Sequence, residues 1–414
     1  MQDMITELIH HPYTPPEGFH APQQGVFKAS TVIFPNVAAM RSRQWKDKSG
    51  YTYGLHGTPT TYLLEERLCA LEGGQECVLV PSGLAAIACV SFALLKAGDE
   101  VLLPDNAYGP NKVLAEGELA ALGVTHRLYD AMNPLDLAGK ISPRTRLVWV
   151  EAAGSVTLEF PDLCELVRIC KTRKVLVALD NTWGAGIAFK PFDLEPGASP
   201  ALGADVSIHA LTKYPSGGGD VLMGSVMTQG GAIGRRIKDT HMRLGLGVGG
   251  NDAEAVLRGL PSILLRYRAH DAGARALARW SQDRAEFSQV LHPALPGSPG
   301  HAHWKALCAS APGDYAGNSA EPGQAAGLFS VIFKPGVRAQ QVDAFCDALK
   351  LFKIGYSWGG PISLVVPYDL AAMRPDWPAH LAPGTVVRFS VGLEAVQDLQ
   401  ADLAQALAVA NACA

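Results

Sequence analysis

The sequence has no C-x-x-C pair, no uninterrupted apolar run long enough to cross a membrane, and little net charge. The formal charge of −4 gives no reason to expect nucleic-acid or membrane binding. The first sixteen residues, MQDMITELIHHPYTPP, contain acids and histidines where a secretory signal needs a basic start and an apolar core. We therefore expect no signal peptide, no transmembrane helix and a cytoplasmic protein.

The composition is that of a globular protein with a large core, since 48% of the 414 residues are hydrophobic. Length alone favours two or three domains. The eight cysteines lie mostly in apolar runs, which predicts reduced core residues rather than disulfides. They are Cys69, Cys77, Cys89, Cys164, Cys170, Cys308, Cys346 and Cys413. The densest basic stretch, at 41–48, is expected to be a solvated surface segment.

The pattern from residue 60 onward predicts alternating helices and strands after a polar, proline-punctuated arm. A helix is predicted at 61–71, stopping at Gly73, with others at 84–96 and 162–174. Six short runs are almost entirely apolar, which is typical of parallel strands covered by helices on both faces. These runs are 78–82, 100–105, 146–152, 175–182, 205–213 and 221–228.

A second, smaller α/β domain is predicted in the C-terminal part. A glycine-rich stretch at 244–252 is followed by a pattern that predicts one long amphipathic helix from about 252 to 290. Surface loops are predicted at 194–202 and 309–325. We expect three parts: an arm at 1–58, a large domain at 59–250, and a C-terminal domain with its connecting helix at 251–414.

A lysine and an aspartate lie at the ends of two apolar runs. Lys213 ends SIHALTK, and a partly desolvated lysine has a lowered pKa and can act as nucleophile and base. Asp180 ends VLVALD, where an unpaired buried carboxylate is costly. Taken alone, Lys213 is also typical of a surface lysine, and Asp180 of a turn or helix cap.

Three further features complete a possible cofactor site. In VPSGLAAIA (80–88), Gly83 permits close backbone approach, and free amides at the helix start bind anions. Tyr108 follows a strand and offers a flat ring. Arg388 lies in an apolar strand, where it pairs either with a substrate carboxylate or with a structural acid. A lysine, an anion, a phosphate cradle and a flat ring are what pyridoxal 5'-phosphate (PLP) requires.

Eight motifs carry a resemblance to a known family. They are YTYGLHGTPTTYLLEERLCALEGG (51–74), VPSGLAA (80–86), ALDNTWGAG (178–186), ALTKY (210–214), VLHPALPGSPGHAHWK (290–305), GLFS (327–330), YSWGG (356–360) and VVRFSVGLE (386–394). Together they resemble the Cys/Met-metabolism family of PLP enzymes. YSWGG and HPALPG favour its cystathionine β-lyase branch over the γ-synthase and γ-lyase branches.

The resemblance implies a fold-type-I aminotransferase-like α/β architecture, with a mostly parallel seven-stranded sheet in the large domain and a smaller C-terminal domain. It also implies a homotetramer of active-site-sharing dimers, PLP as cofactor and no metal. The implied reaction cleaves the Cβ–S bond of cystathionine to homocysteine, pyruvate and ammonia, in methionine biosynthesis. Rival interpretations are a sibling carbon-sulfur lyase or γ-synthase, and a non-catalytic interaction protein that keeps the fold.

The resemblance also implies residue roles, transferred motif by motif. Lys213 resembles the lysine that carries PLP as a Schiff base, and Tyr108 the ring-stacking tyrosine; both are catalytic, acting on protons. Asp180 resembles the partner of the ring nitrogen. Phosphate ligands are implied at Gly83, Leu84, Thr212 and, from the neighbouring subunit, Tyr53. The substrate carboxylate site is implied at Arg388, Ser357 and Trp358.

Three positions depart from the family pattern. Leu55 replaces the arginine that usually follows Tyr53 by two residues, which removes a cationic phosphate contact. Ala210 stands where many members carry serine. Pro361 and Ile362 replace a Tyr-Glu pair after YSWGG. We expect another donor to offset the missing arginine, and His56 is the first candidate.

Overall fold

The computed structural model describes residues 4–13, 17–19, 21, 23–309, 323–374 and 376–412. In these ranges the strands form one seven-stranded and one five-stranded sheet. The strands are β1 (Glu76–Val80), β2 (Glu100–Pro104), β3 (Thr125–Tyr129), β4 (Thr145–Glu151), β5 (Leu176–Asp180), β6 (Val206–His209), β7 (Gly224–Thr228), β8 (Phe287–Leu291), β9 (Leu328–Phe333), β10 (Lys353–Ile354), β11 (Leu364–Tyr368) and β12 (Val386–Ser390).

Helices cover both faces of the larger sheet and one side of the smaller. They are α1 (Met4–Ile9), α2 (Val37–Arg41), α3 (Pro59–Glu72), α4 (Gly83–Leu94), α5 (Gly109–Leu114), α6 (Pro134–Lys140), α7 (Leu163–Thr172), α8 (Gly231–Leu244), α9 (Gly250–Gly259), α10 (Ile263–Gln282), α11 (His301–Cys308), α12 (Ala339–Ala348) and α13 (Val396–Ala412). In the described ranges no helix is long and apolar enough to span a membrane.

The larger sheet has the order β1-β7-β6-β5-β4-β2-β3 and confirms the predicted mostly parallel, seven-stranded α/β fold. Only β7 runs antiparallel to its neighbours, β1 and β6. Every residue of β2 and β7 is buried, as expected for strands covered on both faces. The sequence pattern missed β3, an edge strand whose Thr125 and Arg127 face solvent.

The prediction of one helix over 252–290 was wrong. The helix α9 ends at Gly259, a 3-10 turn covers Leu260–Ser262, and α10 ends at Gln282. Pro261 lies at this break, because its ring has no N–H to donate and clashes with the preceding turn. The end of the predicted helix is instead the strand β8.

The smaller sheet, β10-β11-β12-β9-β8, places β12 near its centre, so Arg388 is held in a buried strand. The predicted loop at 194–202 is closed by a hydrogen bond from the Leu194 N–H to the Leu202 carbonyl, 2.7 Å. Most of the predicted loop at 309–325 lies outside the described residues, as does Cys413. The seven described cysteines are free thiols, in agreement with the prediction.

Candidate active site

A cavity of about 540 Å³ lies where the carboxyl ends of β4, β5 and β6 meet the start of α4, facing β12. This edge is the usual ligand position in parallel α/β sheets. Nine of the ten predicted site residues line the cavity; they are Gly83, Leu84, Tyr108, Asp180, Thr212, Lys213, Ser357, Trp358 and Arg388. The fold therefore brings together residues as distant in the sequence as Gly83 and Arg388.

Lys213 lies just after β6 and points its amine across the cavity. Its Nζ donates to the Ser357 Oγ at 2.6 Å and lies 5.6 Å from the centre of the Trp358 ring. Burial, with a smaller contribution from the Arg388 charge, lowers the pKa of Lys213 to about 8. A neutral, nucleophilic amine is therefore available near neutral pH.

This pKa predicts how the apoenzyme captures PLP. Capture needs the neutral amine, so its rate should rise about tenfold per pH unit below a pKa of about 8 and level off above it. Stopped-flow absorbance of the apoenzyme mixed with PLP would measure the profile. A rate still rising steeply at pH 10 would indicate an unperturbed lysine.

Asp180 ends β5 and is partly buried. One carboxylate oxygen accepts the Thr182 N–H at 3.0 Å, so the turn interpretation holds for that oxygen. Within the described chain no cation forms an ion pair with Asp180, although its side chain lines the cavity. Burial raises the pKa of this carboxyl. An acid in this position fits a cationic ring nitrogen on the cavity side.

The start of α4 fits a phosphate group. Ser82 caps the helix by accepting the Ala85 N–H at 3.0 Å. The amides of Gly83 and Leu84 have no acceptor in the described chain and line the cavity. A Cβ at Gly83 would lie 2.7 Å from the Ala210 Cβ, so only glycine permits this close approach.

Arg388 lies on β12 and is only 8% exposed. Its Nη1 donates to the Ser155 carbonyl at 2.8 Å, and its guanidinium lies 5.7 Å from the Trp358 ring centre and 5.2 Å from that of Tyr368. No described acid forms an ion pair with it. The structural salt bridge is thus absent, and the guanidinium is free to bind a carboxylate from the cavity.

The segment before β11 contains two unusual features next to the cavity. Ser357, a non-glycine residue, has a φ of 106°, a sparsely populated conformation that is found preferentially at functional sites. The Trp358 indole N–H is buried without a partner in the described chain. Pro361 and Ile362 do not line the cavity, so their departure from the family pattern does not reach it.

Several cavity residues were missed from the sequence. Glu151 ends β4 in the register position next to Asp180, and its Oε2 accepts the Tyr108 N–H at 2.8 Å. Its signal, an acid at the end of an apolar run, was the same as that of Asp180. Ser155 and Tyr368 contact Arg388 through the tertiary fold and carry no local signal.

Tyr53 is the predicted site residue that lies elsewhere. It belongs to the arm, pairs with Thr31 and is 45% exposed. His56 lies with Leu55 in a second, small cavity; its Nδ1 is 2.7 Å from the Thr52 Oγ1, and its ring stacks on Trp45. Burial lowers the pKa of His56, which disfavours it as the compensating cation.

The missing arginine leads to a prediction about cofactor retention. If the arm reaches a neighbouring phosphate site, Leu55→Arg should strengthen PLP retention by about 1–3 kcal/mol through a charge-assisted hydrogen bond. Dialysis followed by absorbance of the retained cofactor measures this change. Leu55→Met is the matched control, and equal retention in both variants would place residue 55 away from the phosphate.

The cavity combines a buried lysine, a helix start that fits a phosphate, and the side chains of Asp180 and Arg388. This arrangement is that of a PLP-dependent enzyme of fold type I. A family model described as "Cys/Met metabolism PLP-dependent enzyme" matches residues 5–408. The chain belongs to this family, and its cofactor is PLP.

Relatives of this chain have been named in two branches of the family. The cystathionine beta-lyase of Bordetella avium is 37% identical over 413 residues, covering 97% of each chain. The cystathionine beta-lyase MetC of Escherichia coli is 34% identical over 382 residues, covering 91% of each. A crystal structure of cystathionine gamma synthase from Xanthomonas oryzae pv. oryzae, in complex with cystathionine, superposes with a TM-score of 0.84 at 27% identity and full coverage of both chains.

Proposed function

We propose that this enzyme is a cystathionine β-lyase, which cleaves the Cβ–S bond of cystathionine to give homocysteine, pyruvate and ammonia. The observation that carries the proposal is the convergence of Lys213, Asp180 and the unpaired Arg388 on one cavity. The names of the 37% and 34% identical relatives support the β-lyase branch. The intact set of groups also disfavours a non-catalytic interaction protein.

One group of cavity residues would bind the cofactor. Gly83, Leu84 and Thr212 would hold the PLP phosphate, and Asp180 its ring nitrogen. When bound, PLP supplies an electron sink that stabilises negative charge at the substrate Cα. Tyr108, which precedes α5 and lines the cavity, would stack on the ring.

A second group of cavity residues orients the substrate and transfers protons. Arg388, with Ser357 and Trp358, binds the substrate α-carboxylate. The neutral amine of Lys213, which lines the same cavity as Arg388, removes the Cα proton. Lys213 or Tyr108 then returns a proton to the departing sulfur of homocysteine.

The assembly and location belong to the same proposal. We infer a cytoplasmic homotetramer, built from dimers in which Tyr53 of one arm completes the phosphate site of its neighbour. The division into an arm at 1–58, a PLP domain at 59–250 and a C-terminal domain at 251–414 assigns one sheet to each of the two larger parts.

The products of cystathionine cleavage test the proposed activity. Chromatography should show pyruvate and homocysteine in equal amounts. Dominant 2-oxobutyrate with cysteine would assign the enzyme to the γ-lyases. An enzyme that consumes cysteine but not cystathionine would be a desulfhydrase. Absence of any keto acid from a PLP-loaded protein would overturn the lyase assignment.

Replacing Arg388 with lysine should raise the KM for cystathionine strongly while leaving bound PLP in place. A lysine ammonium is a point charge and cannot reproduce a bidentate guanidinium–carboxylate contact. Loss of one charge-assisted contact of about 1.5–3 kcal/mol corresponds to roughly a 10- to 150-fold rise. Steady-state kinetics with the absorbance of bound PLP checks both parts, and an unchanged KM would remove Arg388 from the carboxylate site.

A further inference from the structure

A second acid lies beside the proposed partner of the PLP ring. Glu151 and Asp180 are Cα partners on the adjacent parallel strands β4 and β5, and both line the cavity. Glu151 is 8% exposed. Two carboxylates in neighbouring register positions on the same side of a sheet repel one another, so a buried pair of this kind favours a single negative charge.

We propose that Glu151 is a positioning residue that stays protonated, leaving the one negative charge on Asp180 and anchoring Tyr108 over the cavity. The anchor is the Tyr108 N–H, which donates to the Glu151 Oε2 at 2.8 Å. This inference rests on the proposed function, because it takes the cavity as the PLP site.

The surrounding groups favour Glu151 as the neutral member. Two cations act on Glu151 through their charge, and neither is hydrogen-bonded to it: Lys112 Nζ donates to the Asp105 and Met373 carbonyls at 2.9 and 2.7 Å, and Arg388 Nη1 donates to the Ser155 carbonyl. No described cation forms an ion pair with Glu151. Burial, followed by the neighbouring Asp180 charge, raises its pKa well above the ordinary value, against smaller opposing effects of the Tyr108 N–H, Lys112 and Arg388.

Asp180 is the better site for the charge. It is more exposed than Glu151, and one of its carboxylate oxygens accepts the Thr182 N–H. Burial raises the pKa of Asp180, but the hydrogen bonds from Thr182 act in the opposite direction and favour its ionised form. A cationic ring nitrogen would add a further stabilising charge there. The neutral carboxyl of Glu151 can still accept the Tyr108 N–H through its carbonyl oxygen.

Infrared difference spectroscopy at neutral pH, wild type minus Glu151→Gln, tests the protonation state. The difference should contain a protonated-carboxyl carbonyl band, whereas carboxylate bands alone would overturn the proposal. The exposed Glu118→Gln is the matched control and should give only carboxylate bands.

Amide hydrogen exchange at Tyr108 tests the anchor in apoenzyme and holoenzyme. Exchange should accelerate roughly 3- to 10-fold in Glu151→Ala and remain at the wild-type rate in Glu151→Gln, which keeps a carbonyl acceptor. Unchanged exchange in a folded Glu151→Ala would overturn the anchoring role. Both measurements are made without substrate, so failure of the cystathionine assay and failure of this inference are separate outcomes.

Discussion

Replacing Lys213 with alanine is expected to abolish turnover of cystathionine while leaving the fold intact. The side chain serves both as the anchor of PLP and as the base at Cα, and proton transfer alone contributes about 10²- to 10⁴-fold. The lysine lines the cavity and belongs to none of the four buried hydrophobic clusters of the described residues, so its loss leaves their packing unchanged. Keto acid release, with circular dichroism as the fold check, measures the effect.

The matched control for this variant is Lys305→Ala, which removes an exposed lysine from α11. It should turn over cystathionine at the wild-type rate. A Lys213→Ala enzyme within about tenfold of wild type would contradict the assigned role, since even the base function alone exceeds that factor.

Replacing Arg374 with leucine is expected to destabilise the folded protein by about 3–5 kcal/mol. Arg374 is 5% exposed; its Nη1 contacts the two Glu159 carboxylate oxygens at 2.9 and 2.8 Å, and its Nε contacts Asp105 at 3.1 Å. The substitution leaves two acids without their cation. It also loosens the segment that places Met373 in the cavity wall.

The destabilisation should depend on pH in a defined direction. Although burial acts to raise it, hydrogen bonding to His380 and the charge of Arg374 lower the pKa of Glu159 to about 2. A lowered acid pKa contributes stability above the unfolded pKa of about 4.5, and that contribution is lost as the pH falls toward 2. The difference between wild type and Arg374→Leu should therefore be largest above pH 4.5 and shrink in acid.

Urea unfolding across this pH range measures the difference, with Arg258→Leu as control. Arg258 forms an exposed ion pair with Glu254 on α9, and such pairs contribute about 0–1 kcal/mol. Equal losses in the two variants would mean that the buried contacts of Arg374 with Glu159 and Asp105 contribute no more to stability than an exposed ion pair.

The sequence predicted those parts of the site whose signals are local. Lys213, Asp180 and Gly83 each lie at a strand end or helix start, where burial pattern and residue type coincide. Glu151 carried the same signal as Asp180 and was overlooked, whereas Ser155 and Tyr368 reach Arg388 only through the tertiary fold. The break at Pro261 was obscured because apolar periodicity continues on both sides of it.

Contacts between subunits are a second kind of feature that one sequence does not reveal, and the arm is the example. Tyr53 and Leu55 were assigned by motif to a phosphate site in the neighbouring subunit, and no periodicity within this chain bears on a contact between subunits. His56 illustrates the difficulty: its position next to Leu55 suggested a compensating charge, but its burial against Trp45 lowers its pKa.

We propose that Lys213 binds PLP in the cavity between the two sheets. Borohydride reduction of the purified yellow protein, followed by proteolysis and mass mapping, tests it most directly. We expect one pyridoxyl label, on the peptide containing ALTKY (210–214), and loss of that label in Lys213→Ala. A stoichiometric label on any other lysine of the wild-type protein would contradict it.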